Sequence, residues 1–340
     1  MPRSSDLKPR MRALAARSAL TRGSVCGRLA AGAWPWHGTA DTAILVHGHE
    51  AATGLRSADM RRLTPDFGRR QFLAALAGLT RVAASVAAEP PGRVPIGVQL
   101  YTVRTLLERD FDGTLAALAA IGVREVEFAG YHGRSPHAVR AALDRTGLVA
   151  PSAHVPIETA RDDLPRVLDA AGAIGHRHVV VAWLPEGQRK TLDDIRATAD
   201  LFNGIGRRAL AAGLGFAYHN HAFEFRRLGG ALPYDVLLER SDPRYVSFEM
   251  DLYWITRGGQ DPLAYFARWP GRFPLVHAKD SAGPPDHRMM DVGAGTIPWR
   301  AIFARRHEAG IRHCFVEHDD PPDAMESVRR SYEYLRRLEL

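Results

Sequence analysis

Two histidines, His219 and His221, stand one residue apart in the stretch FAYHNHAFEF, directly after an apolar run. Alternate residues of a β-strand share a face, so both imidazoles should point to one side and Asn220 to the other. An imidazole pair that faces a protein interior is costly to desolvate, and a divalent ion with nearby carboxylates would satisfy it. The spacing therefore indicates a metal site, with a pair of hydrogen-bonded histidines at the rim of a core as the alternative.

Other ionisable residues also follow short apolar runs, and they include Glu127, His154, Glu249, Asp251, His277, Lys279, Asp280, Glu317, His318 and Asp319. A single residue of this kind could be a rim residue or a helix cap, but their repeated position favours a shared site. We predict that a divalent ion (Zn²⁺, Mn²⁺, Co²⁺ or Mg²⁺) is held by His219, Asp251, His277 and Glu317.

The remaining polar residues are assigned supporting or catalytic roles. His154 and Lys279 are candidates for binding a substrate hydroxyl or carbonyl, or for proton transfer. Glu249 lies two residues before Asp251 on the same strand face and should lie deeper, behind the ligands. Glu224 could be a rim ligand, a substrate contact or a plain loop carboxylate. Three aromatic residues at run ends could pack against a sugar ring or belong to the core: Trp183, Tyr253 and Trp254.

The elements that position these residues alternate between strand and helix from Pro95 onward. Predicted strands cover residues 96–103, 124–130, 148–156, 178–184, 214–221, 245–254, 273–280 and 313–319. Stretches between them, such as LPRVLDAAGAIG, have helical periodicity and end in glycine. Eight such units in about 245 residues predict an α/β fold, a (β/α)8 barrel over residues 95–340. The run GVQLYTVR lacks the glycine-rich phosphate fingerprint of a doubly wound sheet.

Charge is distributed unevenly along the 340 residues, whose formal net charge is +7. Residues 1–88 contain 13 Lys and Arg against 5 Asp and Glu, whereas the remaining residues contain 32 against 33. A basic leader before a near-neutral body argues against a nucleic-acid partner for the folded part. The two cysteines, Cys26 and Cys314, provide neither a disulfide framework nor a cysteine zinc site.

The leader contains a predicted export signal. Residues 60–88 have a basic start, the twin arginines Arg69 and Arg70 before Phe72-Leu73, and then an Ala- and Leu-rich run. This order resembles a twin-arginine signal peptide, so the twin-arginine export machinery is a predicted partner and the periplasm the predicted location. An amphipathic helix is the alternative. Residues 1–59 fit no signal plan, and we expect a non-native upstream extension before Met60 or, if translated, a disordered segment.

The body, from about residue 95 to 340, resembles the xylose-isomerase-like TIM-barrel superfamily, specifically its sugar phosphate isomerase/epimerase group. The resemblance rests, in chain order, on GVQLYTVR, YHNHAFEF, EMDLYW followed by GGQDP, HAKD, VGAGTIPW and VEHD. It implies a metal shell from strands five to eight, which maps onto the four predicted ligands. Many members place a glutamate at the position of His219, so the resemblance leaves His221 and Glu127 as candidates for the catalytic base.

The resemblance also implies the chemistry, which is proton abstraction next to a carbonyl on a sugar, keto-sugar or cyclitol while the ion polarises the oxygen. Isomerisation or epimerisation is the predicted outcome. Elimination, of the keto-glycoside lyase or keto-inositol dehydratase type, is the alternative. Multi-metal hydrolysis is disfavoured because relatives of that type carry a histidine at the position of Trp254. A periplasmic sugar-binding barrel without turnover is the alternative outside enzymes.

Overall fold

A computed structural model describes residues 93–338. The predicted extension and signal peptide, residues 1–59 and 60–88, lie outside the described residues. Eight parallel strands form a closed barrel: β1 (Ile96–Gln99), β2 (Glu125–Phe128), β3 (Val149–Val155), β4 (His178–Val181), β5 (Gly215–His219), β6 (Ser247–Asp251), β7 (Leu275–Ala278) and β10 (His313–Val316). Each barrel strand falls within one of the predicted strands, so the predicted (β/α)8 fold is confirmed.

Helices connect the strands around the outside of the barrel. They are α1 (Arg104–Arg109), α2 (Phe111–Ile121), α3 (Pro136–Thr146), α4 (Ile157–Asp162), α5 (Leu164–Ile174), α6 (Leu192–Ala211), α7 (Pro233–Arg240), α8 (Leu252–Arg257), α9 (Pro262–Arg268), α10 (Trp299–Ala304), α11 (Arg306–Ala309) and α12 (Ala324–Arg337). Helices α3 and α5 end in glycine, as predicted for the helical stretches. Gly147 and Gly175 adopt the left-handed conformation that glycine accepts readily. Within residues 93–338, no helix is long and apolar enough to cross a membrane.

Apolar side chains form one layer inside the barrel and a larger layer outside it. The inner layer consists of Val180, Ala217, Leu275 and Phe315, all of which are fully buried. It closes the barrel below the residues that the strands present at their C-terminal ends. The outer layer lies between the strands and the helices, with Phe202, Phe216 and other large side chains buried there. The polar residues that follow the inner layer therefore rest on a packed floor.

A short antiparallel hairpin follows the seventh barrel strand. It pairs β8 (Asp280–Ser281) with β9 (Met289–Met290). Asp280 fixes this region, because its carboxylate accepts hydrogen bonds from the backbone N–H groups of Gly293 (2.8 Å) and Ile297 (3.1 Å) and from Nε1 of Trp299 (2.8 Å). The HAKD and VGAGTIPW segments are thus joined by one buried aspartate, which is a structural role.

Candidate active site

The barrel register brings the predicted residues together at the C-terminal ends of neighbouring strands. His219 pairs with Glu249 across β5 and β6, and Asp251 pairs with His277 across β6 and β7. Asn220 holds the first of these junctions, because its side-chain oxygen accepts a hydrogen bond from the backbone N–H of Asp251 at 3.1 Å. The two strand ends are therefore fixed to each other directly beside the site.

The deepest group of polar residues is an imidazole–carboxylate cluster, defined here as His154, His219, Glu249, His277 and Glu127. Oε2 of Glu249 lies 2.7 Å from Nε2 of His154, 3.1 Å from Nδ1 of His219 and 3.2 Å from Nε2 of His277. Oε2 of Glu127 lies 3.1 Å from Nε2 of His154 and 2.6 Å from Nε2 of His277. All five side chains are buried. Three imidazoles and two carboxylates thus converge on one small volume.

Charge in this cluster is unevenly divided among the histidines. Burial opposes protonation of His154, but the carboxylates of Glu127 and Glu249 outweigh it and raise the pKa to about 9. The pKa of His277 is also raised, against burial, by Glu249, Glu317 and Glu127. Burial and the neighbouring His277 instead hold the pKa of His219 well below its ordinary value. His219 is therefore the neutral imidazole of the three.

A second polar group lies nearer the mouth of the barrel, around the ammonium of Lys279. Its Nζ lies 2.8 Å from Oε2 of Glu317, 3.1 Å from Oδ2 of Asp251 and 2.8 Å from Oδ1 of Asp319. We call these four residues the lysine–carboxylate group. Burial would lower the pKa of Lys279, but Asp251, Asp319 and Glu317 raise it well above its ordinary value. The lysine is thus a fixed positive charge, buried in the pocket wall.

Aromatic rings form one wall of the pocket above these groups. The ring of His221 lies 5.0 Å from that of Trp183, 5.8 Å from Phe223 and 5.5 Å from Trp254, centroid to centroid. The Trp254 ring also lies 5.7 Å from Nζ of Lys279. Nδ1 of His221 and Nε1 of Trp254 are buried and have no hydrogen-bond partner within the described part of the chain. Two polar side-chain atoms beside these rings are thus without an internal partner.

The position of His221 is fixed from behind by Glu224. The Glu224 carboxyl accepts a hydrogen bond from the backbone N–H of His221 at 2.9 Å and from the hydroxyl of Tyr218 at 2.5 Å. Burial raises the pKa of this carboxyl to about 8. Because Glu224 is fully buried behind the loop, it is neither on the rim nor open to a substrate.

The predicted ligands are divided between the two polar groups. His219 and His277 belong to the imidazole–carboxylate cluster, and Asp251 and Glu317 contact Lys279. The two pairs also meet, because Nδ1 of His277 lies 2.7 Å from Oε2 of Glu317 and Nε2 of His219 lies 3.8 Å from Oδ2 of Asp251. The predicted catalytic residues are also separated, with His154 and Glu127 in the cluster, Lys279 between the carboxylates, and His221 in the aromatic wall. Glu249 is the main difference from expectation, since it touches three histidines instead of lying behind them.

Sequence reasoning missed Gln99, whose Nε2 donates a hydrogen bond of 2.7 Å to Oε2 of Glu127. The signal was a polar residue inside the otherwise apolar run GVQLY. His154 and His277 keep the pKa of Glu127 well below its ordinary value despite complete burial. Glu127 is therefore an anionic carboxylate whose Oε2 is occupied by internal donors.

The donor set fits a divalent metal ion. Among residues 93–338, two groups have nitrogen and oxygen atoms close enough to share one ion. They are His154, His219, Glu249 and His277, and Asp251, His277 and Glu317. Oε1 of Glu127 and Oε1 of Glu249 are buried without a hydrogen-bond partner among residues 93–338. Buried carboxylate oxygens without donors are expensive unless a cation or water completes them. Imidazole and carboxylate donors together suit Zn²⁺, Mn²⁺ or Co²⁺.

The family of the chain follows from its sequence. Residues 115–338, more than half of the chain, match the family described as the xylose isomerase-like TIM barrel, and the chain therefore belongs to that family. No curated protein sequence matches it.

Solved structures of similar fold extend this comparison. A sugar phosphate isomerase/epimerase from Parabacteroides distasonis is 25% identical, with a TM-score of 0.64, and the match covers 74% of this chain and 96% of that chain. The probable 3-DHS dehydratase AsbF of Bacillus anthracis is 10% identical, with a TM-score of 0.57 and coverage of 71% and 98%. The IOLI protein, solved with a binding zinc atom, is 14% identical, with a TM-score of 0.57 and coverage of 72% and 98%. The last two comparisons show the fold alone.

Proposed function

We propose that this protein is a metal-dependent isomerase or epimerase that removes a proton next to a carbonyl on a sugar, keto-sugar or cyclitol. The supporting observation is the arrangement around Trp254, where the half-buried imidazole of His221 and the buried ammonium of Lys279 both lie against one aromatic ring. A base and a positive charge beside a sugar-sized apolar surface are the parts that enolisation requires.

His221 is the proposed base. Burial and the Lys279 charge hold its pKa well below the ordinary value, so the imidazole is neutral at pH 7. Its Nδ1 has no hydrogen-bond partner within residues 93–338 and is available to accept a proton from a carbon of the bound substrate. Glu127, the other candidate, lies deep in the imidazole–carboxylate cluster, where its Oε2 contacts three internal donors. His221 is favoured because its nitrogen is free to face the ligand.

Lys279 is the proposed stabiliser of the oxygen that becomes negative when the proton leaves. Two of its carboxylate partners, Asp251 and Glu317, are buried, but Asp319 is 35% exposed and can turn away. A substrate oxygen can then take the place of Asp319 beside Nζ. The positive charge is already fixed before the reaction, so no reorganisation is needed as charge develops.

A divalent ion held by the buried histidines and carboxylates would polarise the substrate carbonyl and lower the cost of forming the enediolate. His154, with its raised pKa, remains protonated at neutral pH when the ion is absent. It is placed to hold or exchange a proton with Glu249 and Glu127, and not to approach the aromatic wall.

Elimination is the alternative enzyme reaction, because it begins with the same proton abstraction and differs only when a leaving group stands β to the carbonyl. A sugar-binding barrel without turnover is the alternative outside enzymes. All three functions use the same aromatic wall. The substrate's own substituents and the presence of turnover distinguish them.

The test is incubation of the purified, metal-supplemented protein with a panel of aldoses, ketoses, keto-glycosides and keto-inositols. NMR analysis of the products separates isomers and epimers from unsaturated elimination products. We expect a stereoisomer or a positional isomer of at least one panel member. Stoichiometric binding without any product would contradict the proposal and favour a binding protein.

We also propose that residues 60–88 direct export to the periplasm by the twin-arginine route, supported by the Arg69-Arg70 pair before an apolar run. Replacing both arginines with lysine should retain the protein in the cytoplasm, because the route depends on that pair. Cell fractionation measures the outcome. Unchanged periplasmic yield from the double variant would refute this route.

A further inference from the structure

The two sets of residues that could hold an ion share His277. The contacts of its two ring nitrogens indicate which of the two sets the ring serves. Nδ1 of His277 lies 2.7 Å from Oε2 of Glu317. An anionic carboxylate at this distance holds a proton on Nδ1, so Nε2, which donates to Glu127 when no ion is present, is the nitrogen that can exchange its proton for an ion. Nε2 points to Glu249 and Glu127 in the deep cluster. A histidine whose far nitrogen donates to a carboxylate is the arrangement commonly found at protein metal ligands.

The carboxylates of the lysine–carboxylate group are already paired with a cation. Nζ of Lys279 lies within 3.1 Å of Asp251 and within 2.8 Å of both Glu317 and Asp319. A divalent ion held by Asp251 and Glu317 would stand in contact with this ammonium. Two positive charges at that separation repel strongly in a buried site. Lys279 therefore already neutralises the charge of Asp251 and Glu317, as an ion bound by these two carboxylates would.

The deep cluster contains no lysine or arginine, and its positive charge is carried by imidazoles, which can release their protons when an ion binds. Glu249 contacts three imidazoles through one oxygen, while its other oxygen is buried and has no hydrogen-bond partner in the described part of the chain. The three imidazole rings surround this point with centroid separations of 5.2, 5.2 and 4.5 Å. Three imidazoles and one carboxylate form the nitrogen-rich set that suits zinc and its neighbours among the transition metals.

We infer that the ion of this protein is held in the deep cluster by His154, His219, Glu249 and His277. Lys279 takes the place of an ion between Asp251 and Glu317, and Glu317 is a positioning residue that orients His277. The inference rests on the proposed function only in assuming that an ion is used. The inferred ligand set differs from the set predicted from the sequence in two of its four residues. Substituting those residues therefore distinguishes the two assignments.

A matched pair of substitutions on β6 tests the assignment. Glu249→Gln and Asp251→Asn each replace one fully buried carboxylate by its amide, two residues apart on the same strand. Metal content is measured by mass spectrometry after dialysis against Zn²⁺, and Co²⁺ titration followed by visible absorption gives affinity and ligand geometry. Glu125→Gln, a buried carboxylate at the opposite end of the barrel beside His313, is the control for the chemical change itself.

We expect wild type, the control and Asp251→Asn to bind one ion, with affinities within about threefold of each other. Glu249→Gln should bind the ion with a hundredfold or more lower affinity. Glu317→Gln should lower the affinity about 10–100-fold, because removing a carboxylate that orients a ligand has an effect of that size. Loss of the ion from folded Asp251→Asn, or its retention at full affinity by Glu249→Gln, would overturn the assignment, as would a wild type that binds no ion. Circular dichroism confirms folding of each variant. Normal ion binding without turnover would count against the proposed function alone.

Discussion

Replacing Lys279 with methionine removes the charge between three carboxylates and leaves the surrounding shape nearly intact. Asp251 and Glu317 are buried and would face each other without a counterion. Breaking a buried ion pair by removing one partner typically costs about 3–5 kcal/mol. We expect the free energy of unfolding at pH 8 to fall by that amount, which for about 245 residues lowers Tm by roughly 6–20 °C.

The loss should depend on pH in a defined direction. Asp251 has its pKa raised to about 6, chiefly by burial, even with the ammonium present to lower it. Without Lys279 this folded-state pKa rises further above the unfolded value, and that of Glu317 rises from its lowered value. A carboxyl with a raised folded-state pKa destabilises the fold above that pKa and ceases to do so when it is protonated. The difference between variant and wild type should therefore be largest at pH 8 and shrink as the pH falls towards about 6, where Asp251 becomes protonated in both proteins.

The assay is thermal and urea unfolding of wild type and variant across pH 5–8 in the presence of chelator, so that bound ions do not contribute. Lys190→Met is the matched control, since Lys190 is exposed and its substitution should change stability by no more than about 0.5 kcal/mol. A Lys279→Met protein as stable as wild type at pH 8 would refute the charge arrangement described here. A loss that is constant with pH would refute the assignment of the cost to buried carboxylates.

Three further substitutions test other parts of the site. His221→Gln should slow exchange of the substrate α-proton by about 10²–10⁴-fold while bound metal stays unchanged, as measured by NMR in D₂O, and an unaltered rate would exclude His221 as the base. Trp254→Phe keeps an aromatic ring but removes the Nε1–H donor, so KM should rise about 2–10-fold through the lost hydrogen bond. An unchanged KM would show that the indole N–H makes no contact with substrate. Phe315→Ala opens a cavity inside the barrel below the site and should cost about 3–5 kcal/mol in urea unfolding, and a loss below 1 kcal/mol would contradict the packed floor.

The sequence identified the strands but not where the turns after them begin. The run 245–254 reads as one strand because it is apolar, yet β6 ends at Asp251 and α8 starts at once. The reason is local, since Oδ1 of Asp251 accepts the backbone N–H of Trp254 at 2.8 Å and caps the helix. Gln99 acts similarly after β1, where its side chain accepts the N–H of Tyr101. A polar residue inside an apolar run was the signal in both places.

The sequence pattern along each strand indicates the face on which a side chain lies but not its depth in the barrel. Alternation along a strand gives the face on which a side chain lies, and it correctly placed Glu249 with Asp251 on the face that lines the pocket. It does not give the height of one strand end relative to another, which depends on the tilt and stagger of the closed barrel. Glu249 therefore meets histidines from three other strands, a contact that no single strand pattern contains. The path of the long Lys279 side chain between Asp251 and Glu317 was equally beyond sequence spacing.

The central claim, that His221 removes a proton next to a carbonyl in this pocket, is tested most directly by solvent deuterium incorporation. Candidate sugars are incubated in D₂O with wild type, with His221→Gln, and with the His137→Gln control, whose histidine lies on the outer helix α3. The account predicts deuterium at a single carbon beside the carbonyl with wild type and the control, and little with His221→Gln. Substrate turnover without deuterium in substrate or product, or full incorporation by His221→Gln, would contradict it.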